Sequence, residues 1–179
     1  MALGATIYKA HLNISDLERH YYGEHQLTLA CHPSETETRL MVRLLAFIAN
    51  AQEDLAFTKG ISTDDEPDLW LKAPDGRILL WIELGEPTVK RIKQGLSRAE
   101  KVLVYSYGAR GAEQWWKQAG SEIQALGARV QVFNLSFDQL PALAALAGRN
   151  MSLGATLMEG EWLLTNGEQT AALRLDCWH

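Results

Sequence analysis

The segment DDEPDLWLKAPDGRILLWIELGEP, residues 64–87, constrains this chain more than any other. Asp75-Gly76 separates two apolar runs, and an Asp-Gly loop closes a β-hairpin because glycine accepts the positive φ that a two-residue turn needs. Counting outward from that loop, Pro74 faces Arg77, Lys72 faces Leu79, and Asp68 faces Glu83. Directly opposed residues share one face of the sheet, with Cβ atoms about 4.5–5.5 Å apart. Two carboxylates so placed repel, and the repulsion grows with burial. The pair therefore lies at an open sheet end or holds a cation. Two carboxylates, a backbone carbonyl and waters suit Mg²⁺ or Mn²⁺. An ion held there can activate water and neutralise charge developing on a phosphate. The argument requires a turn without a bulge, since a one-residue slip sends the two acids to opposite faces.

The flanking elements follow from periodicity. Residues 5–14 and the stretch ending near Cys31 alternate as an antiparallel hairpin with its turn near Gly23. Ser34 caps a helix, with Glu37 completing a capping box, and Leu40, Met41, Leu44, Leu45 and Ile48 form its apolar stripe. Residues 53–61 form a short strand. RILLWIEL is apolar throughout and reads as a strand covered on both faces. Pro87 opens a second helix, with Val89, Ile92, Leu96 and Ala99 inward. KVLVYSYG is a strand, the helix AEQWWKQAGSEIQALG follows, RVQVFNLSF is a strand and DQLPALAALAG a short helix. The tail from Met151 is β, with Asn166-Gly167 as a hairpin turn. This order predicts an α/β fold: a mixed β-sheet flanked by helices, with a right-handed parallel crossover.

Length and composition set the bounds. A chain of 179 residues without a Pro/Gly/Ser-rich linker predicts a single domain over residues 1–179. A net charge of −5 argues against a general nucleic-acid coat protein. Any nucleic-acid contact must then use a local basic patch, and Lys90, Arg91, Lys93 and Arg98 on the second helix provide the best one. The two cysteines, Cys31 and Cys177, lack metal-ligand or disulfide-framework spacing and read as reduced thiols. With no signal-like N-terminus and no apolar run near about 18 residues, a cytoplasmic protein without a membrane span is expected.

A glutamate-bearing helix, a hairpin carrying PD, an apolar strand ending in glutamate, a helix and a strand together resemble the PD-(D/E)XK nuclease superfamily over roughly residues 34–107. The closer resemblance is to the YaeQ family, a bacterial group with that kind of fold. It is carried by ATIYKA, HPSETETR, DDEPDLW, WIELGEP, RIK and QWWKQ, which run from end to end. The resemblance implies a restriction-endonuclease-like core and a Mg²⁺- or Mn²⁺-dependent nucleic-acid phosphodiesterase, or a degenerate relative that binds nucleic acid or protein without turnover. It makes Asp68 and Glu83 the motif acids, with the Leu84 carbonyl as a further metal ligand. It makes Glu35 or Glu37 the helix acid: HPSET favours Glu35, whereas the helix face favours Glu37. One position departs from the motif. The lysine expected two residues after the second acid is Gly85, and Lys93 is the candidate to reach back in its place.

Other candidates carry less. Cys31 and His32 alternate on a strand and do not form a nucleophile pair. The histidines, 11, 20, 25, 32 and 179, lack ligand spacing. GARG lacks the full phosphate-binding pattern. Trp115 and Trp116 recur with Ala119 and Ile123 and belong to a core.

Overall fold

The computed structural model describes residues 4–59, 64–108 and 110–179. In chain order the elements begin with β1 (Thr6–Asp16), β2 (Tyr21–Cys31), α1 (Glu37–Asn50), β3 (Leu55–Phe57), β4 (Leu69–Lys72) and β5 (Ile78–Leu84). They continue with α2 (Val89–Arg98), β6 (Ala99–Gly108), α3 (Arg110–Ala125) and β7 (Val130–Ser136). After a single 3₁₀ turn come α4 (Leu140–Ala144), β8 (Asn150–Met158), β9 (Glu161–Thr165), β10 (Thr170–Leu173) and β11 (Leu175–Cys177). The one mixed sheet expected from the sequence is two mixed sheets. The chain divides into two compact units, residues 1–44 with 138–175, and residues 45–137 with 176–179.

The first unit holds a five-stranded sheet in the order β10-β9-β8-β1-β2. Alternate residues Tyr8, Ala10, Leu12 and Ile14 of β1 are buried, the period of two that a one-sided sheet imposes. The β1–β2 turn lies at residues 17–20, not near Gly23, which pairs with Ile14 inside the ladder. Buried Asp16 builds this turn: its Oδ1 accepts from the Glu18 and Arg19 backbone N–H groups, and its Oδ2 meets Arg19 Nε at 2.6 Å. That short polar side chain supplies what a glycine was expected to supply. β8 runs parallel to β1, and β9 and β10 return antiparallel. The β9–β10 loop has four residues, and Asn166 Oδ1 accepts from the N–H groups of Glu168 and Gln169.

The N-cap of α1 is Thr36 and not Ser34. Thr36 Oγ1 accepts from Arg39 N, while Ser34 Oγ pairs with the His32 ring at 2.7 Å. Every residue from Leu40 to Ile48 is buried, so the expected stripe is only part of the covered surface of α1.

The second unit holds a six-stranded sheet in the order β11-β7-β6-β5-β4-β3. β5, β6 and β7 run parallel, and α2 and α3 make the crossovers between them. Trp81, Val102, Val104, Val130 and Val132 on the strands form a core with Ile92 of α2 and Ile123 of α3. Trp115 and Trp116 pack at its edge, the latter stacked on Trp178 at 5.6 Å. α2 starts two residues beyond Pro87: Thr88 is its N-cap, accepting from Arg91 N. Gly95 lets α2 approach β5, since a Cβ there would stand 2.9 Å from Trp81 Cδ1 and 3.0 Å from Val102 Cγ2.

The hairpin differs from its expected form in two places that offset each other. Its loop has three residues, Pro74-Asp75-Gly76, with Gly76 N–H donating to Ala73 O, Ala73 N–H to Arg77 O, and Gly76 at φ +90°. A type I turn followed by a left-handed glycine gives this geometry. It places Lys72 opposite Ile78 rather than Leu79. A bulge then leaves Leu79 without a β4 partner, and Leu71 pairs with Leu80 and Leu69 with Ile82, as the sequence count required. Beyond Leu69 the ladder becomes irregular, and Asp68 N donates to Ile82 O.

Candidate functional site

Asp68 and Glu83 are both buried, with 4% and 7% of their surface exposed. Their positions follow from the hairpin: Asp68 precedes β4, and Glu83 lies two residues beyond Trp81 on the same face of β5. Burial at this depth requires each carboxylate to find donors, and each does so within the chain. Glu83 Oε1 accepts from Trp81 Nε1 at 2.8 Å and from Arg91 Nε at 2.7 Å. Asp68 Oδ2 accepts from Leu84 N at 2.9 Å, so Leu84 enters the site through its N–H.

Burial raises the pKa of Glu83 above the usual carboxylate range. The Arg91 charge pulls it back, the Asp68 charge pushes it up again, and the Trp81 and Arg91 hydrogen bonds oppose that rise. The two acids therefore sense each other.

Arg91 is the cation of this site, and the sequence reading had placed it only in a surface patch. Its guanidinium holds Glu83 with Nε, donates through Nη2 to Glu66 O at 2.6 Å and through Nη1 to Asp64 O, and lies 5.3 Å from the Trp81 ring centroid. Arg98 continues the clamp by donating to Asp65 O at 2.9 Å. Arg91 and Arg98 of the expected basic patch are thus turned onto residues 64–66. Lys90 and Lys93 are exposed. Lys93, the candidate replacement for the motif lysine, is exposed, and Arg91 is bonded to Glu83. Gly85 adopts φ +91°, a conformation that a lysine would enter only with strain. Gly95, one turn after Arg91 and pressed against Trp81, was the signal in the sequence that this face of α2 points inward.

Glu35 and Glu37 belong to the first unit. The Glu35 side chain is 3% exposed and bonds Arg39 Nη1 at 2.8 Å and Arg43 Nη2 at 2.9 Å. Glu37 is exposed and accepts from the Tyr8 hydroxyl at 3.2 Å. Cys31 is buried beside Glu35. Burial and the Glu35 charge raise its thiol pKa, which disfavours the thiolate that a nucleophile needs. Among the described residues no group of three or more His, Cys, Asp or Glu is placed to hold a metal ion, and no helix is long and apolar enough to cross a membrane. In the Asp68–Glu83 pair an arginine and an indole engage Oε1 of Glu83, and the Leu84 N–H engages Oδ2 of Asp68.

The sequence profile of the YaeQ protein family matches residues 1–175. The chain is 43% identical to the uncharacterized protein YaeQ of Escherichia coli (strain K12), over 99% of its own length and 98% of that protein's. It is 44% identical to the uncharacterized protein YaeQ of Salmonella typhi over the same shares. Its structure superposes on the crystal structure of YaeQ from Xanthomonas axonopodis pv. citri with a TM-score of 0.93, at 39% identity and covering 97% of each chain. The YaeQ structure from Pseudomonas syringae gives a TM-score of 0.90 at 35% identity, covering 97% of this chain and 95% of that one. A profile match over nearly the whole length, joined to relatives this similar from end to end, places the chain in the YaeQ family.

Proposed function

We propose that this protein is a catalytically degenerate member of the PD-(D/E)XK, restriction-endonuclease-like class, acting by binding a macromolecular partner, nucleic acid or protein, without phosphodiester cleavage. One observation carries the reading: Glu83 Oε1 is engaged by both Arg91 and Trp81. A carboxylate neutralised by an internal guanidinium is a poor ligand for Mg²⁺ or Mn²⁺, which bind through charged oxygens. Gly85 in place of the motif lysine supports the same reading, because no ammonium follows the acid to polarise a water. Calorimetry with Mn²⁺ on the wild type, Asp68→Ala and Glu83→Ala tests it, together with cleavage assays on single- and double-stranded DNA and RNA. The expected result is no saturable Mn²⁺ heat and no cleavage. Saturable heat in the wild type that both substitutions abolish, accompanied by cleavage, would sink the reading.

A second reading, a Mg²⁺- or Mn²⁺-dependent nucleic-acid phosphodiesterase, is favoured by the two buried carboxylates whose charges interact, Asp68 and Glu83. Repulsion between them is what a bound cation would relieve. The same experiment decides between the two.

A further inference from the structure

We propose that the second unit carries a binding site for a small apolar carboxylate at the opposite end of β5 from the acid pair. An open surface hollow of about 500 Å³ lies there, lined by Leu71, Leu79, Leu80 and Ala128 with Gln52, Glu100, Lys101 and Arg129. That volume lies in the range of sites for small organic ligands, which combine an apolar lining with a few placed polar groups.

The pairing of the strands builds the cavity. Leu71 pairs with Leu80, Leu80 with Lys101, and Val102 with Val130. Residues Leu71, Leu80 and Lys101 therefore sit at one level across β4, β5 and β6 and share a face, with Arg129 at the entry to β7 and its guanidinium turned to the end of α2. The shared face is the one opposite Trp81, Val102 and Val130, which the helices cover. Leu79 and Leu80 are neighbours on a strand and would ordinarily point to opposite sides. Both line the cavity because the bulge falls at Leu79. Bulges re-aim side chains in this way and recur beside functional sites. The bulge thus places two partly exposed leucines in one hollow.

The polar rim selects the ligand's charge. Arg129 is held in place by three carbonyls: Nε donates to Glu100 O at 2.9 Å, and Nη2 donates to Leu96 O at 2.9 Å and Ala99 O at 2.7 Å. Among the described residues Nη1 carries no hydrogen bond, and it can serve a ligand. Lys101 adds a second positive charge. The one acid in the lining, Glu100, is already bonded to Arg77 Nη1 at 2.9 Å. An apolar lining with an immobilised guanidinium and an ammonium at its rim matches a carboxylate carrying a short aliphatic or aromatic body, since charge-assisted bonds to a preordered arginine are directional and strong.

Octanoate is a suitable probe, with octanamide as its uncharged counterpart, each titrated into the full chain by calorimetry. Octanoate is expected to bind saturably, and octanamide about tenfold more weakly, the loss expected when a charged acceptor becomes neutral. Arg129→Gln should weaken octanoate by a similar factor and leave octanamide unchanged. Arg129 also braces backbone carbonyls, so Lys101→Gln serves as a second variant that leaves that brace intact, and it should weaken octanoate alone. Leu80→Asp should abolish binding of both. No saturable octanoate binding by the wild type, or equal losses for both probes in Arg129→Gln and Lys101→Gln, would overturn the proposal.

Discussion

Glu83 concentrates the energetics of the site in one titratable group. Its folded pKa lies above the usual glutamate value of 4.5, chiefly through burial. The folded state therefore retains a proton that the unfolded chain has released, and stability contributed by the neutral form is lost as pH rises through the raised value. Glu83→Gln cannot titrate. The stability of the wild type relative to Glu83→Gln should thus fall as pH rises from about 4.5 through the raised folded value, and parallel urea unfolding of the two proteins across that window checks it. A difference that stays flat with pH would contradict the assignment. Arg91 is the matching partner. Removing it by Arg91→Ala strands a buried carboxylate and should cost about 3 kcal/mol, the scale for breaking a buried ion pair from one side. Arg91→Lys should restore little of this, because a single ammonium cannot reproduce a fork that reaches one carboxylate and two carbonyls. Denaturant midpoints of the two variants provide the comparison.

At the scale of elements, α2 and the β4–β5 hairpin position everything in the site, and α2 is seated at Gly95. Gly95→Ala would press a methyl into Trp81 and Val102, an overpacking expected to cost about 1–3 kcal/mol. Because Trp81 Nε1 bonds Glu83, that shift also loosens the acid, so Gly95→Ala combined with Glu83→Gln should show less than additive loss in denaturation. The order of strands and helices was legible because each carries its own period in the sequence. The caps were misplaced by two residues, since Ser34, Thr36, Pro87 and Thr88 are all competent starters and packing chooses among them. The register leading to Asp68 and Glu83 was legible, as far as Leu69 and Ile82, for an incomplete reason: the turn adds one residue and the bulge at Leu79 offsets it. Partnership within hairpins was legible, as β1 with β2 and β4 with β5 show, but long-range partnership was not. The parallel pairing of β1 with β8 joins segments about 140 positions apart, and no local pattern encodes such a contact. Arg91 was missed because its charge argued for solvent, whereas the neighbouring glycine marked the inward face.

At the scale of the whole molecule, charge limits what the second unit can grip. The chain carries a net −5, and two of the four basic residues of α2 are turned onto residues 64–66. If double-stranded DNA binds through α2, two lysines should give a slope of log K against log salt of about −1.8, against about −3.6 if all four cations met phosphates. Fluorescence anisotropy at several salt concentrations measures it, and Lys90→Ala with Lys93→Ala should remove the dependence. The first unit has a consequence of another kind. Its sheet is assembled from residues before and after the second unit in the chain, and β1 lies between β2 and β8. During synthesis the β1–β2 hairpin emerges early, with the flank that awaits β8 bare until the intervening residues have been made. An unsatisfied strand flank attracts wrong partners, so nascent chains stalled before residue 150 should be the form that chaperones hold longest and that aggregates first.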